Sequence, residues 1–585
     1  MKYLSSNKNI VRKYQNISSL LKDVCSKYSD NIVFCFKKDS DFIKIKYSDL
    51  YLDVCRISSA LINQGFKKGD KMVLFSPNCY EMLVMELSVM SIGGIAVPIF
   101  AYFKKDTSKL LIDFCDAEYL AIHGEFQYSQ LSDYSHIKKY FVLDKNFSLS
   151  HKNKDTFISF NALLNKGTAD DTYLDFDIGE NTICLNMYTS GTMGTPKCVQ
   201  LTHKNILSQQ DALSQLWNVD SNDRFLSYLP WHHSFGGIFE LFTVLFNGAS
   251  YWLEPSYGKD ISSIIENWKA VKPTVFFSVP KIHKSLVEQI STDPSFEHQL
   301  FHPEFKFIFT AAAPLPENVA KEYLSKNIKI LEGWGLTETS PCCTISEFTP
   351  DKEPGIVGFP IPGVNIRIDD EGEIQIQGPN VMSGYYKNDA ANKEAFTDDN
   401  WFKTGDVGEI IPQGLKLIAR KDRIFKLSNG EKVIPTDIEK IMEKKCCYIA
   451  YSIIYGSGKE YPIALLFPNK KFFEHPPYEI TPEEGCFCPR NINELGKCLS
   501  GCLHDINDNI KQKFSKIKIA AIINKELSID DNTLTPSLKP SPKNIINKYF
   551  DTIKNIYNNN IPKDEDIYVI ILDHQLKNAM NYGGN

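Results

Sequence analysis

The chain has 585 residues, more than one hydrophobic core usually supports, so we expect two or more domains. Its 65 basic and 71 acidic side chains give a net charge of -6, and this balance excludes the broad positive surface of a nucleic-acid-binding protein. The first residues, MKYLSSNKNIVRKYQ, lack the apolar run of a secretion signal, so the 15 cysteines predict a cytoplasmic protein without a disulfide framework.

The first part of the chain alternates strand and helix patterns. The apolar segment KMVLFS (71–76) predicts a strand, a helix follows from Tyr80, and IAVPIF (95–100) predicts a second strand. The stretch from Leu87 to Phe103 is almost wholly apolar and long enough to raise the alternative of a membrane span. Two glycines and a proline interrupt it, so we favour a buried helix, a glycine turn and a buried strand.

A polar, glycine-rich loop then follows the apolar run ICLNM. The loop, YTSGTMGTPK (188–197), combines glycines, hydroxyl groups and one lysine. Such a loop exposes backbone N–H groups that bind anionic oxygens, so it predicts a phosphate-binding site, with a mobile linker as the alternative. It does not match the GxxxxGK[ST] loop of other ATPases, because its lysine follows Pro196 and precedes no serine or threonine.

The later part of the chain continues the α/β pattern and then changes. KFIFTAA (306–312) and KILEGWG (329–335) predict strands, and the alternation in VNIRIDDEGEIQIQG (364–378) predicts a sheet with one solvent-exposed face. The strand pattern GLKLIA runs into the charges RKDR, residues 420–423, which indicates a hinge. We therefore predict an α/β fold with a large N-terminal domain of layered sheets and helices, a small β-barrel-like subdomain, and a small mobile α+β C-terminal domain.

Four long motifs occur in the order in which one known superfamily has them. YTSGTMGTPKCVQLTH (188–203), GWGLTETSP (333–341), WFKTGDVGEI (401–410) and RKDRIFKLSNGEKVIPTDIE (420–439) resemble signatures of the adenylate-forming superfamily, which includes acyl-CoA synthetases, peptide-synthetase adenylation domains and beetle luciferase. The resemblance covers most of the chain. It implies an N-terminal AMP-binding domain, residues 1–419, and a C-terminal lid domain, residues 420–585.

The resemblance implies that the glycine-rich loop binds ATP. In such enzymes a carboxylate attacks the α-phosphorus of ATP, so donors and cations must face the phosphate oxygens. The residues implied at the β- and γ-phosphates are Thr189, Ser190, Gly191, Thr192, Gly194 and Lys197. For Lys197 taken alone, a solvated surface lysine is the alternative.

The motif GWGLTET is implied to hold the metal and the adenine. Glu338 stands where the family has a carboxylate that binds Mg²⁺, and Thr337 stands at the threonine that contacts the α-phosphate. Mg²⁺ commonly takes one or two carboxylates plus phosphate oxygens, although a solvated glutamate is the alternative for Glu338 alone. Gly333 and Trp334 stand at the adenine, where family members carry an aromatic residue that stacks on the base.

Further motif positions are implied at the ribose and at the acid. Asp406 in TGD would accept hydrogen bonds from the ribose hydroxyls together with Arg420, unless both are ordinary turn or hinge charges. His233 in LPWHHSFGG matches the position at the carboxylate end of the acyl pocket, with a buried structural histidine as the alternative. Gly236 and Gly237 follow on this stretch and, with Ala311 to Ala313, indicate room for a sizeable apolar tail.

The C-terminal motifs imply a moving lid. Lys539 in TPSLKPSP aligns with the lysine that the family brings into the site to bridge the substrate carboxylate and the ATP phosphates, and Lys543 is its nearby competitor. The lid then rotates about a hinge residue, here Asp422, and brings a thiol acceptor to the acyl-adenylate. Gly430 in the loop SNGEKV (428–433) would face the pantetheine of CoA.

The segments LSNGEKVIPTDIE and LTPSLKPSPKNIINKYFDTI most closely resemble the long-chain fatty acyl-CoA synthetases. The implied reaction is the ATP- and Mg²⁺-dependent conversion of a fatty acid, long-chain on this resemblance, to acyl-AMP with release of pyrophosphate, followed by transfer to CoA. Alternatives are an acyl-AMP ligase that loads a carrier protein, an adenylating enzyme for an aryl or other carboxylic acid, and a non-catalytic relative. The implied partners are small molecules, with at most peripheral contact with a membrane.

Several positions depart from the family pattern. Cys198 and Ala419 stand where glycine is usual, and their side chains could slow turnover by crowding the backbone. Pro540 and Pro542 replace the customary residues after Lys539, and their rings restrict the backbone beside that lysine.

A cluster of cysteines lies in CFCPRNINELGKCLSGC. Cys486, Cys488, Cys498 and Cys502 offer four thiols, but the spacing CxC and CxxxC is not the usual pair of a zinc site, so we favour ordinary reduced cysteines. We assign no function to the tail from Asp564 to Asn585.

Overall fold

The computed structural model describes the greater part of the chain. The described residues are 2–39, 41–148, 156–189, 197–311, 315–349, 352–353, 355–446, 448–469, 489, 491–528, 531–534, 540–561, 564–573 and 575–577. Five residues of the predicted site lie outside these ranges: Ser190, Gly191, Thr192, Gly194 and Lys539.

The chain forms two compact units. The first comprises Met1–Thr404 and Gly408–Ile418, and the second comprises Gly405–Val407 and Ala419–Asn585. Helices and strands alternate through both units, which confirms the prediction of an α/β fold with a large N-terminal region of sheets and helices.

The helices of the first unit are α1 (Ile17–Lys27), α2 (Tyr47–Asn63), α3 (Tyr80–Ser91), α4 (Lys105–Phe114), α5 (Glu125–Ser129), α6 (Phe160–Lys166), α7 (His203–Leu213), α8 (Leu241–Asn247), α9 (Ile261–Val271), α10 (Pro280–Thr292), α11 (Phe296–Leu300), α12 (Glu317–Ser325) and α13 (Asp389–Ala395). Shorter turns of 3₁₀-helix occur at Asp171–Tyr173 and Thr337–Thr339, and a π-helical segment spans Phe235–Glu240.

The strands up to Arg420 are β1 (Lys2–Ser5), β2 (Ile32–Lys38), β3 (Asp41–Lys46), β4 (Lys71–Phe75), β5 (Ile95–Ile99), β6 (Tyr119–Ile122), β7 (Lys139–Val142), β8 (Phe157–Ser159), β9 (Ile183–Thr189), β10 (Lys197–Thr202), β11 (Arg224–Ser227), β12 (Ser250–Leu253), β13 (Val275–Ser278), β14 (Phe307–Thr310), β15 (Lys329–Trp334), β16 (Thr344–Glu347), β17 (Ile356–Pro360), β18 (Asn365–Ile368), β19 (Glu373–Gln377), β20 (Gly384–Tyr385), β21 (Phe402–Ile411) and β22 (Gly414–Arg420).

An eight-stranded sheet has the order β20-β10-β9-β5-β4-β6-β7-β8. Its central strand β4 runs parallel to β5 and to β6. The side chains of Met72 and Leu74 belong to one hydrophobic core and those of Val73 and Phe75 to another, and all four are fully buried. The continuous apolar run KMVLF therefore follows from burial of both faces, as expected for a parallel sheet covered by helices.

A fourteen-stranded sheet has the order β1-β18-β19-β21-β22-β17-β16-β15-β14-β13-β11-β12-β2-β3. Strands β11, β13, β14 and β15 are parallel neighbours in its centre, and β16 continues the sheet in the antiparallel direction from β15. The chain reverses direction after β15 ends at Trp334. The connection to β16 carries the turn with Thr337 and Glu338.

The hairpin of β18 and β19 differs from its prediction. Its polar side chains, which the alternating pattern assigns to a solvent-exposed face, are buried at Arg367, Glu373 and Gln375. The Arg367 side chain donates hydrogen bonds to Gln375 Oε1 (2.6 Å) and Asp399 Oδ2 (2.6 Å), and its guanidinium carbon lies 4.5 Å from the centroid of the Trp401 ring. The prediction that this face is exposed to solvent is therefore wrong. The loop with Asp399 and Trp401 contacts the face, and Asp399 pairs with the charge of Arg367.

The second unit has its own sheet and its own cores. Its elements are β23 (Phe425–Lys426), β24 (Lys432–Val433), α14 (Pro435–Lys445), β25 (Ile449–Tyr455), β26 (Ile463–Pro468), α15 (Ile492–Asn509), β27 (Ile519–Ile523), α16 (Pro542–Lys548), α17 (Phe550–Tyr557) and β28 (Ile567–Ile571), with 3₁₀ turns at Lys421–Arg423 and Lys513–Ser515. Strands β25, β26, β27 and β28 form a four-stranded sheet in that order, and β23 pairs with β24 as a separate hairpin.

The apolar stretch Leu87–Phe103 is buried in the first unit as far as Ile99, whereas Tyr102 near its end is exposed. It covers the end of α3, a turn in which Gly93 has a φ of 77°, and β5, so it has the predicted order of helix, glycine turn and strand. Among the described residues, the structure has no helix that is both long and apolar enough to cross a membrane.

A buried carboxyl group lies within α3. Glu86 is 1 % exposed, and neither of its carboxyl oxygens has a hydrogen-bond partner among the described residues. Burial disfavours the charged form and raises the pKa of Glu86 to about 8. The side chain is therefore largely neutral at neutral pH in the folded protein.

We predict that Glu86→Gln reduces the pH dependence of stability. The unfolded chain loses the Glu86 proton near pH 4.5, whereas the folded chain keeps it up to about pH 8. The contribution of this group to stability is therefore complete below pH 4.5 and falls between these two values, by up to roughly 1.4 kcal/mol per pH unit. Urea unfolding near pH 5 and near pH 8 should show a smaller loss for the variant than for the wild type.

The matched control is Glu288→Gln, which changes an exposed glutamate on α10 that pairs with Lys284. It should keep the full pH dependence of the wild type. Equal losses in the wild type and in Glu86→Gln would contradict the assignment of a neutral buried carboxyl.

Candidate active site

The two ends of the predicted phosphate loop meet in one antiparallel pair. Thr189 ends β9, Lys197 begins β10, and the two residues are direct partners in the register. The Thr189 hydroxyl donates a hydrogen bond to the Lys197 carbonyl oxygen at 3.5 Å. The pairing thus fixes where the loop leaves and re-enters the eight-stranded sheet, at the carboxyl end of β9.

The turn that carries Thr337 and Glu338 is held by contacts to two other segments. The Glu338 carbonyl oxygen accepts a hydrogen bond from Met382 N (2.8 Å), and the Thr337 and Ser234 hydroxyls lie 3.1 Å apart. The Asn380 amide donates to the Thr339 carbonyl oxygen at 2.9 Å. The Glu338 side chain is 8 % exposed, so it is not the solvated surface glutamate considered from the sequence alone.

Tyr385 brings Lys197 and Glu338 together. Its hydroxyl donates a hydrogen bond to Glu338 Oε1 at 2.8 Å, and the centroid of its ring lies 5.0 Å from Lys197 Nζ. The tyrosine reaches this place because β20 pairs with β10 next to the phosphate loop. Sequence reasoning missed Tyr385. The signal that could have indicated it is the glycine directly before it, in the stretch GYYKN (384–388).

The donor set at this turn fits a magnesium ion. Glu338 supplies a carboxylate, and Thr337, the preceding residue, supplies a hydroxyl oxygen that lies 3.1 Å from the Ser234 hydroxyl. Mg²⁺ takes oxygen ligands and is usually bound by one or two carboxylates together with substrate phosphates. The residues therefore suit an ion that is shared with a bound nucleotide rather than one held by the protein alone.

The histidine stretch lies before the π-helical segment. His233 is exposed, and its Nδ1 accepts a hydrogen bond from Phe235 N at 3.3 Å, so the alternative of a buried structural histidine does not describe it. The adjacent His232 is half-buried, and its ring centroid lies 5.0 Å from that of Phe100. Burial lowers the pKa of His232 to about 3, so this imidazole stays neutral at physiological pH.

Gly236 and Gly237 pack closely on the backbone that precedes them, and the room for an apolar tail that they indicate stays a prediction. A Cβ added at Gly236 would lie 2.6 Å from the Pro230 carbonyl oxygen, and one at Gly237 would lie 2.1 Å from the Trp231 carbonyl oxygen. The two glycines allow the π-helical segment to pack directly on the preceding backbone.

Four phenylalanine rings, beginning with the residue after Ser234, pack against one another in the first unit. The phenylalanine cluster comprises Phe235, Phe239, Phe277 and Phe309, and all six pairs of ring centroids lie between 4.7 and 6.2 Å apart. A Cβ added at Gly333 would lie 2.3 Å from Phe309 Cζ, so the cluster also packs on the strand of the adenine motif. Trp334, the next residue, is largely buried, and its stacking on adenine stays a prediction.

In the second unit, the predicted ribose residues form an ion pair. Arg420 Nη1 lies 3.1 Å from Asp406 Oδ1, and Arg420 Nε lies 3.8 Å from Asp422 Oδ1. Gly430 lies in the loop between β23 and β24, where its N–H donates to the Leu427 carbonyl oxygen at 2.9 Å. The roles of these residues toward nucleotide and CoA stay predictions.

The cysteine cluster is only partly described. Cys498 and Cys502 lie one turn apart on α15, whereas Cys486 and Cys488 lie outside the described residues. Within the described part of the chain, no group of three or more His, Cys, Asp or Glu side chains is arranged to hold a metal ion.

Comparison with known proteins identifies relatives that are similar to this chain in sequence. Long chain acyl-CoA synthetase 6, peroxisomal, of Arabidopsis thaliana is 28% identical in an alignment 468 residues long, which covers 69% of this chain and 65% of that protein. Long chain acyl-CoA synthetase 3 of the same organism is 26% identical in an alignment 597 residues long, gaps included, which covers 89% of this chain and 88% of that protein. The chain therefore aligns with just under two thirds of the first relative's length and with most of the second.

Solved structures with the same fold include two ligases. O-succinylbenzoate coenzyme A synthetase (MenE) from Bacillus subtilis, in complex with ATP and magnesium ion, has a TM-score of 0.67 at 19% identity and covers 86% of this chain and 96% of its own. The anthranilate CoA ligase AuaEII, in complex with anthranoyl-AMP, has a TM-score of 0.71 at 17% identity. The match covers 93% of this chain and 99% of the ligase chain. At these identities the likeness shows a shared fold.

Family models match most of the chain. The model described as AMP-binding enzyme matches residues 21–386, and the model described as AMP-binding enzyme C-terminal domain matches residues 422–560. The first match alone covers more than half of the 585 residues. The chain belongs to the AMP-binding enzyme family.

Proposed function

We propose that this protein is a fatty acid–CoA ligase that acts on long-chain acids. The observation that carries the nucleotide part of the proposal is the contact of one buried tyrosine with both Lys197 and Glu338 beside the phosphate loop. A cation and a carboxylate at that place are what a triphosphate with its magnesium ion requires. The choice of a long-chain acid rests on the long chain acyl-CoA synthetases that align with the chain.

In the first half-reaction, a carboxylate oxygen of the fatty acid forms a bond to the α-phosphorus of ATP. The bond from that phosphorus to the oxygen bridging the β-phosphate breaks, and pyrophosphate leaves with its electron pair. Lys197, Thr189 and the loop residues Ser190, Gly191, Thr192 and Gly194 bind the β- and γ-phosphates in this proposal. Thr337 contacts the α-phosphate, and Glu338 would hold Mg²⁺, which when bound would supply positive charge at the phosphate oxygens.

The remaining residues bind the other parts of the substrates. Gly333 and Trp334 form the adenine site, Asp406 and Arg420 bind the ribose, and His233 lies at the carboxylate of the acid. Lys539, which lies outside the described residues, bridges that carboxylate and the phosphates while charge develops.

The second half-reaction transfers the acyl group to CoA. The thiol of CoA attacks the acyl carbonyl, AMP leaves, and the thiol proton passes to solvent. We propose that residues 1–419 act as the AMP-binding domain and residues 420–585 as the lid, which turns about Asp422 between the two steps and presents Gly430 to the pantetheine. The proposed location is cytoplasmic, with at most peripheral contact with a membrane.

An aromatic acid is the second candidate substrate. The observation in its favour is the phenylalanine cluster, which includes the residue directly after Ser234 and consists of packed flat rings. The anthranilate CoA ligase that shares the fold acts on an acid of this shape, as the anthranoyl-AMP in its complex indicates. Transfer of the acyl group to a carrier protein in place of CoA is the remaining alternative.

We predict that the purified protein releases pyrophosphate from ATP and Mg²⁺ with long-chain fatty acids, and that CoA stimulates turnover. Lys539→Ala and Glu338→Gln should each lower turnover by about a hundredfold or more, because each removes a charge that faces the reacting phosphates. Continuous pyrophosphate assays with acids from medium to very long chain, and with benzoate and anthranilate, measure this.

The same assay separates the alternatives. Accumulation of acyl-AMP despite added CoA would favour a carrier-loading ligase, and turnover confined to aromatic acids would favour the second candidate. Failure to release pyrophosphate with every acid would contradict the proposed function.

We also predict that Phe235→Ala changes acid selectivity. Removal of a ring beside Ser234 leaves space for a bulkier or longer tail, and one or two methylene groups are worth roughly tenfold in kcat/KM. The ratio of kcat/KM for a longer acid to that for a shorter acid should rise by about that factor. Phe305→Ala, which removes a buried ring packed on Trp268, is the control and should leave the ratio unchanged. An unchanged ratio in Phe235→Ala would contradict a role of the cluster in the acyl pocket.

A further inference from the structure

Tyr385 contacts both charged groups of the proposed phosphate site with different parts of one side chain. Its hydroxyl donates to Glu338 Oε1 at 2.8 Å, and its ring centroid lies 5.0 Å from Lys197 Nζ. The tyrosine is 5 % exposed, so protein rather than water surrounds these contacts. Neither the hydrogen bond nor the ring contact is needed to build the sheet, because β20 pairs with β10 through backbone groups alone.

The position of Tyr385 is fixed by the register of β10. Tyr385 is the direct partner of Val199, and Lys197 lies two residues before Val199 on the same face of that strand. The ring of Tyr385 therefore extends along β10 toward the start of the strand. This geometry places the aromatic face at the lysine that closes the phosphate loop.

Asn392 clamps the backbone of Tyr385 from α13. Tyr385 N donates to Asn392 Oδ1 at 2.7 Å, and Asn392 Nδ2 donates to the Tyr385 carbonyl oxygen at 3.0 Å. The preceding Gly384 has a φ of 147°, and a Cβ there would lie 2.9 Å from Asn392 Oδ1. The clamp therefore favours glycine at position 384 and holds Tyr385 through its backbone groups.

The same segment holds Glu338 twice. Met382 N donates to the Glu338 carbonyl oxygen at 2.8 Å, three residues before Tyr385 donates to its carboxylate. One contact fixes the backbone of the glutamate and the other fixes the direction of its carboxylate. A metal ligand that is oriented by a hydrogen bond from a neighbouring side chain binds its ion more tightly than one that must be ordered on binding.

The two contacts of Tyr385 can be separated by substitution. The hydrogen bond to Glu338 needs the hydroxyl, whereas the attraction of the Lys197 ammonium to the ring needs only the aromatic face, which lies within the distance of about 6 Å at which such contacts act. Phenylalanine at this position keeps the face and loses the hydroxyl. Leucine loses both.

We propose that Tyr385 is a positioning residue that orients Glu338 for Mg²⁺ and holds Lys197 at the phosphates of the same ATP molecule. The inference rests on the proposed function, because it uses the metal role of Glu338 and the phosphate role of Lys197. Tyr385 acts through these two side chains and does not itself contact the reacting atoms.

The test measures ATP binding by the full-length protein in the absence of any acid, so that no turnover occurs. Isothermal titration calorimetry with ATP in excess Mg²⁺ and with ATP in EDTA separates the metal-dependent part of the affinity from the rest. The variants are Tyr385→Phe, Tyr385→Leu and Glu338→Gln. The matched control is Tyr386→Phe, because the Tyr386 hydroxyl also donates to a carboxylate, Asp116 Oδ2, at 2.7 Å.

We expect Tyr385→Phe to weaken ATP binding by about tenfold in Mg²⁺ and to leave binding in EDTA unchanged, since disruption of a residue that orients a metal ligand typically costs ten- to a hundredfold in affinity. Tyr385→Leu should weaken binding under both conditions. Tyr386→Phe should bind as the wild type does in both. Thermal unfolding of each variant shows whether it is folded, and a merely structural role would lower stability without a selective loss in Mg²⁺.

The outcomes distinguish this inference from the proposed function. A loss in Glu338→Gln together with wild-type binding by Tyr385→Phe would overturn the role of Tyr385 alone. If the ATP affinity of Glu338→Gln depended on Mg²⁺ as strongly as that of the wild type, the metal role of that glutamate would be overturned, and this inference with it. An equal loss in Tyr386→Phe would show that the effect is not specific to the contact with Glu338, and would also overturn the inference.

Discussion

The antiparallel pairing of β10 with β9 on one side and with β20 on the other is the constraint on which the proposed site depends. The first pairing brings the two ends of the phosphate loop together, and the second brings Tyr385 alongside. Because Tyr385 donates to Glu338, the turn that follows β15 of the fourteen-stranded sheet is tied to a strand of the eight-stranded sheet. The first unit thereby connects its two sheets at the place where the charged side chains collect.

Much of the fold follows from patterns that act over a few residues. Residues of β4 alternate between two hydrophobic cores, so a continuous apolar run already indicates a strand buried on both faces. The hairpin of β18 and β19 shows the limit of such patterns. Its alternation marks the strands correctly, but the sequence does not show that a later loop covers the polar face and pairs Arg367 with Asp399.

In the candidate site too, the sequence indicates some residues, and the contacts of the folded chain are needed to find others. Motif resemblance marks Lys197 and Glu338, and the structure places the two around a common side chain. Tyr385 escapes sequence reasoning because a neutral tyrosine in a strand is most often a packing residue and only its contacts show otherwise. Gly236 and Gly237 show a related limit, since a glycine that permits close backbone contact has the same sequence signal as one that leaves space.

The most direct test of the account follows one oxygen atom. The fatty acid is labelled with ¹⁸O in its carboxylate and incubated with the protein, ATP, Mg²⁺ and CoA, and the nucleotide product is analysed by mass spectrometry. Attack of the carboxylate on the α-phosphorus, followed by thiolysis, predicts AMP that carries one ¹⁸O atom. ADP as the product, or label in inorganic phosphate, would contradict adenylation at this site.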